Sequence, residues 1–174
     1  LVVKKWGGLI DVFGNKPVLR ICGTVAAVLP LFWLFATPEN YIAIPLIHVA
    51  TGLFWNGIDL TSNNLIMALS PDENRSFYIA TSSMVTSIVG SILAYALGGL
   101  FMELTGKWID GLNIIILGRR LINYHMLFIL SSLIRFIGIT FLLSPIKEEE
   151  SANTREVLQR SIQAVGVYRK NIGN

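Results

Sequence analysis

Gly7-Gly8-Leu9-Ile10-Asp11-Val12-Phe13-Gly14-Asn15-Lys16-Pro17 is followed at Val18 by an apolar run reaching Thr37. That succession decides the fold. Glycines at 7, 8 and 14 suit a tight turn, because a residue without Cβ takes positive φ at no steric cost. Pro17 suits the first turn of a helix, where no amide donor is needed. Lys16, with Lys4, Lys5 and Arg20, makes the loop basic. A bilayer core of about 30 Å needs roughly 20 apolar residues in a helix, and Val18 to Thr37 supplies them. The stretch reads as a short polar hinge beside a membrane span.

Working outward, three more spans follow. Tyr41 to Leu69 comes after the turn Thr37-Pro38-Glu39-Asn40, and Ser76 to Met102 after Ser70-Pro71-Asp72-Glu73-Asn74-Arg75. Ile122 to Leu143 comes after a longer connection, Glu103 to Arg120, and is closed by Ser144-Pro145. Within that connection Leu112 to Leu117 is apolar but too short to cross, and reads as a re-entrant or interfacial piece. Pro30 predicts a kink in the first span. In the tail, Leu158, Ile162 and Val165 recur at helical spacing, which predicts an amphipathic helix over residues 154–169 on the membrane face. The predicted class is an all-α integral membrane protein. Residues 1–17 form a cytoplasmic loop, and residues 18–143 a four-helix transmembrane region (spans 18–37, 41–69, 76–102 and 122–143). Residues 144–174 form a cytoplasmic tail.

Composition agrees. Of 174 residues 53% are hydrophobic and 14% charged, against roughly a quarter charged in soluble domains. The net charge of +3 sits in loops and tail, without the basic stripe and interleaved aromatics of nucleic-acid binding, so the expected partner is the lipid bilayer and not nucleic acid. Cys22 is alone and His48 and His125 are far apart, so no metal or other cofactor is expected. Ten of the 14 Lys and Arg fall at one side of the four spans, with Lys107, Arg119 and Arg120 opposite and Arg135 inside a span. Basic residues favour the cytoplasm. Both ends should therefore face it, in a multi-pass protein of the plasma (inner) membrane. There is no initiator Met, and Leu1-Val2-Val3 reads like the end of an earlier helix, so the chain reads as the C-terminal part of a longer protein.

Read as G-x-L-x-D-x-x-G-x-K, the residues Gly7, Leu9, Asp11, Gly14 and Lys16 resemble the gating-loop signature of the major facilitator superfamily of secondary transporters. Val12 and Asn15 stand where that family usually has a basic residue. Ser70-Pro71-x-x-x-Arg75, Gly98-Gly99 and Leu127-Phe128-x-x-Ser131-x-x-x-Arg135 follow in the order of its later helices. The resemblance implies helices nine to twelve of twelve, and secondary active transport of a small solute by alternating access. It also implies a missing N-terminal half as partner. The coupling ion would be a proton or another cation. Two other readings stay open: an intramembrane lipid-modifying enzyme, and a non-transporting membrane scaffold or assembly protein.

The second span carries the expected substrate-cavity residues, Trp55, Asn56, Asp59, Ser62 and Asn63. Trp55, Asp59, Ser62 and Asn63 share a face by i, i+4, i+7, i+8 spacing. A carboxylate at mid-helix costs about 2.5–3.5 kcal/mol on insertion scales and usually faces a bundle interior or a wet cavity; the bland alternative is polar glue between helices. Arg135 is the other intramembrane charge, and an Asp59–Arg135 ion pair would offset part of each cost. Ser83, Ser87, Gly90, Ser91, Ala94 and Gly98 form small-residue strips suited to close helix packing. No nucleophile, acid–base set or metal site suggests a catalytic residue.

Overall fold

The computed structural model describes residues 2–36, 41–112, 115–116, 119–120 and 122–146. Six α-helices make the architecture of the described residues. They are α1 (Val2–Phe13), α2 (Asn15–Phe32), α3 (Ala43–Leu69), α4 (Arg75–Met84), α5 (Gly90–Leu112) and α6 (Asn123–Ile137). A 3-10 turn, Trp33–Phe35, extends α2, and another, Asp72–Asn74, leads into α4. π-helical segments join α4 to α5 (Val85–Val89) and extend α6 (Gly138–Leu142).

The opening stretch corrects the sequence reading. The expected loop is helical through Gly7 and Gly8, and the turn shrinks to Gly14 alone. Gly14 has φ 88° and ψ 167°, a region essentially restricted to glycine. Trp6, Leu9, Ile10 and Phe13 explain the helix. They recur at i, i+3, i+4, i+7 and present one apolar face, with Ile10 and Phe13 buried. A helical glycine costs about 1 kcal/mol relative to alanine, which burial of this face offsets.

Among the described residues three helical runs are long and apolar enough to cross a membrane: Asn15–Phe35, Asp72–Ile109 and Asn123–Leu142. The second expected span, α3, has the length at 27 residues but not the apolarity. His48, Asn56, Asp59, Asn63 and Asn64 dilute it. It ends at Ser70, which is extended at φ −85°, ψ 136°, as Pro71 disfavours a helical conformation in the residue before it. The third span overruns its expected end at Met102 and stays helical to Leu112. Beyond it, Ile115–Ile116 (β1) pairs antiparallel with Arg119–Arg120 (β2). The expected tail helix lies outside the described residues.

Helix α2 is central, packed on α3 along one side and α6 along the other, while α1 closes on α3. Val18 and Cys22 are fully buried beside Ile10, with Trp6, Leu9, Phe54 and Ile58 around them. The Trp6 indole donates to the Leu53 carbonyl at 2.9 Å. Gly57 is where the three helices meet: a Cβ there would lie 2.5 Å from Cys22 Sγ and 3.2 Å from the Trp6 ring. Ser132 is buried and its hydroxyl donates to Ala27 O at 2.5 Å, pinning α6 to α2. The Asn123 amide donates to Met102 O at 2.7 Å and its oxygen accepts from Thr105 at 2.8 Å, joining α5 to α6. Such bonds between membrane helices contribute about 0.6–1.7 kcal/mol each.

The small-residue strips meet little within the described residues. Ser83, Ser87, Gly90 and Ser91 are exposed, and nothing approaches Gly90. Ala94 and Gly98 do face α6, in a concavity shared with Leu127, Leu130 and Ile134.

A candidate solute cavity at the middle of the bundle

Two ends of the bundle can be told apart by their polar ties. The Lys16 ammonium donates to the carbonyls of Ser144, at 2.9 Å, and Ile146. The start of α2 and the end of the last span therefore share one end. Asp11, Gly14 and Asn15 line a cleft there with Asn64, Met67 and Arg75, so the end of α3 and the start of α4 lie at that end too. Of the residues expected to form a gating motif, Asp11, Gly14 and Lys16 thus gather at this end. Gly7 and Leu9 belong to α1 instead. Arg75 pairs with Asp72 at 2.5 Å, one turn away.

Between the ends, α2, α3 and α6 line an open cavity of about 460 Å³. Trp33, Trp55 and Phe128 wall it with Ala26, Leu29 and Pro30, and Thr51, Ser131 and Arg135 bring polar atoms. Its walls are built locally. Pro30 sits near the end of α2, and the 3-10 turn after it carries Trp33 toward α6. There Trp33 stacks on Phe128, centroids 5.7 Å apart and planes 19° from parallel, while His48 meets its edge at 5.6 Å. On α6, Ser131 and Arg135 are one turn apart and share a face. Arg135 lies over the Trp55 ring, 5.2 Å from its centroid, and donates from Nη1 to Ala26 O at 3.1 Å. A guanidinium against an indole face is a favourable cation–π arrangement.

The expected second-span residues divide. Trp55 lines the cavity; Asn56, Asp59 and Asn63 are exposed, and Ser62 is half-buried outside the lining. The Asn56 amide is turned back to Gly52 O at 2.6 Å. The expected Asp59–Arg135 ion pair does not form: Arg135 takes a backbone carbonyl and an aromatic face instead. The physical reason is reach. Asp59 follows Trp55 by one helical turn, so the indole and not the carboxylate faces the guanidinium. Sequence reasoning missed Trp33, Thr51, Phe128 and Ser131 as lining. Spacing alone could have found Ser131, four residues before Arg135; Trp33 and Phe128 looked like any aromatic in an apolar run. Among the described residues no group of His, Cys, Asp or Glu is placed to hold a metal.

An all-α multi-pass membrane bundle with a polar–aromatic cavity near mid-span is the class these features define. The family model described as Major Facilitator Superfamily matches residues 6–172, and the chain belongs to that family. A similar protein is "MFS-type transporter sphD" of Aspergillus fumigatus, 27% identical over 118 residues, which is 65% of this chain. The chain spans about a fifth, 19%, of that relative's length. No solved structure matches.

Proposed function

We propose that the chain forms helices nine to twelve of a twelve-helix secondary transporter that moves a small solute by alternating access. The observation that carries this is the cavity of Trp33, Trp55, Phe128, Ser131 and Arg135, set between helices near the middle of their spans. Solute sites in such transporters lie near the bilayer midplane, between repeats. Family membership supports transport over catalysis, and the relative's name points the same way for that protein. The other wall of the site is assigned to an N-terminal half. The end carrying Asp11, Lys16 and Arg75 is assigned to the cytoplasm, on the excess of basic residues there. The membrane is assigned as the plasma (inner) membrane.

The test is uptake by the complete gene product in proteoliposomes, over a panel of radiolabelled solutes and with an imposed pH or sodium gradient. We expect saturable accumulation of one solute class, strongly reduced by Trp55→Ala. Absence of any gradient-driven flux across the panel, with correctly inserted protein, would leave the scaffold reading in its place.

A further inference from the structure

We infer that the cavity takes a planar, apolar solute carrying a single anionic group, an aromatic carboxylate or its like, with Arg135 as the anion receptor. This rests on the transporter reading for the purpose of the site, and on the geometry for its chemistry. Arg135 has five N–H donors in a fixed fork and keeps its charge at any working pH. One donor, on Nη1, is used by Ala26 O. No Asp or Glu among the described residues pairs with the guanidinium, and none lines the cavity. A cation held at membrane depth is costly and normally finds a counter-charge. A carboxylate brought by the solute supplies one, through the bidentate pairing that suits arginine.

The rest of the lining selects the solute's body. Trp33 and Phe128 present a near-parallel stacked pair, and Trp55 a third flat surface whose other role is to carry the guanidinium. Aromatic rings prefer offset-stacked or edge contacts with other rings, so a planar solute fits these walls. The Thr51 hydroxyl proton is committed to Ile47 O at 2.7 Å, leaving its oxygen as an acceptor. About 460 Å³ suits a ligand of two or three rings. A cationic solute would meet the guanidinium's repulsion, with no carboxylate among the described lining residues to offset it.

Equilibrium dialysis on the complete gene product in nanodiscs tests this with three probes of one shape: 2-naphthoate, 2-naphthamide and 2-naphthylmethylammonium. We expect naphthoate to bind saturably, about tenfold or more tighter than the amide, as one charge-assisted pairing would give, and the ammonium not to compete. In Arg135→Gln the naphthoate and amide affinities should converge, and Arg135→Lys should keep part of the preference. Trp55→Leu should weaken both. Equal binding of naphthoate and amide by the unaltered protein would overturn the inference, with no variant needed, and so would a naphthoate preference surviving in Arg135→Gln. Binding is read here without flux. A protein that binds naphthoate but moves nothing refutes the transporter reading alone; one that moves neutral solutes regardless of charge refutes only this inference.

Discussion

Gly57→Ala should loosen the junction of α1, α2 and α3 by a measurable amount. The new Cβ would stand 2.5 Å from Cys22 Sγ and 3.2 Å from two Trp6 ring atoms. Ordinary carbon contacts lie at about 3.5–4.0 Å, so the sulfur must retreat by about 1 Å. It has nowhere to go, because Cys22 is 0% exposed. Trp6 is held by its bond to Leu53 O and by the Phe54 ring at 5.8 Å. Overpacking of this kind costs roughly 1–3 kcal/mol. Alanine returns up to about 1 kcal/mol through helix propensity. The net expectation is a loss of about 1–2 kcal/mol. Cys22 is the single cysteine of the chain, so its labelling by a thiol-reactive dye in mild detergent reports opening of this junction. Labelling should accelerate about 5- to 30-fold, the population factor for that free energy. Adding Cys22→Ala should restore the thermal transition that Gly57→Ala lowers. Wild-type labelling rates in Gly57→Ala, with an unchanged thermal transition, would refute the close packing described for these three helices.

Lys16→Met removes both bonds to the carbonyls of Ser144 and Ile146. Amide exchange in the last turn, read by mass spectrometry, should quicken by about fivefold, for a loss of about 1 kcal/mol; Lys16→Arg should not. Asp11→Asn should weaken closure at the end of the bundle where Asp11 shares a cleft with Asn64 and Arg75. A carboxylate set against a helix N-terminus of the N-terminal half, as the family resemblance implies for Asp11, contributes about 0.3–1 kcal/mol, so accessibility of a cysteine placed at Asn64 should rise with expression unchanged, and unaltered accessibility and transport would count against a gating role. On the proposal that Asp59, the mid-helix carboxylate of α3, couples protons from outside the cavity lining, Asp59→Asn should abolish pH-driven uptake while sparing solute exchange. Full pH-driven uptake in that variant would assign Asp59 a structural role only.

Three of the four expected spans were legible because a long apolar run suits the lipid interior; α3 kept the length but is diluted by polar residues. The end of α3 was legible from Pro71, which on its own disfavours a helical Ser70. The opening loop misled because glycine permits a turn without requiring one; the periodic face of Trp6, Leu9, Ile10 and Phe13 was the stronger signal. The end of α5 misled because Glu103 and Lys107 look like loop residues, yet charge alone does not stop a helix. At the cavity, Trp55 and Arg135 were each singled out in sequence, but their pairing was not. Which of two neighbours on α3 meets Arg135 depends on how α3 and α6 are rotated about their axes, and that is set by long-range packing through α2. Trp33 was hidden for a related reason: its direction comes from the 3-10 turn after Pro30.

The third span has a mechanical consequence. From Asp72 to Ile109 it runs for 38 residues through a 3-10 turn, α4, a π-helical segment and α5, so at about 1.5 Å per residue it is roughly 57 Å long. That is nearly twice the hydrocarbon thickness. Its most apolar stretch is nowhere buried within the chain; it is tied to α3 at the Arg75 end and to Asn123 near the other, and between them Ala94 and Gly98 face Leu127 of α6 across a concavity. A rod held this way is a lever. Tilting it by about 10° about its base sweeps the far tip by roughly 10 Å for that length. Thr105 and Met102 would carry Asn123 with them, so the head of α6, the helix that bears Arg135, would be dragged along by a small change at the Arg75 end.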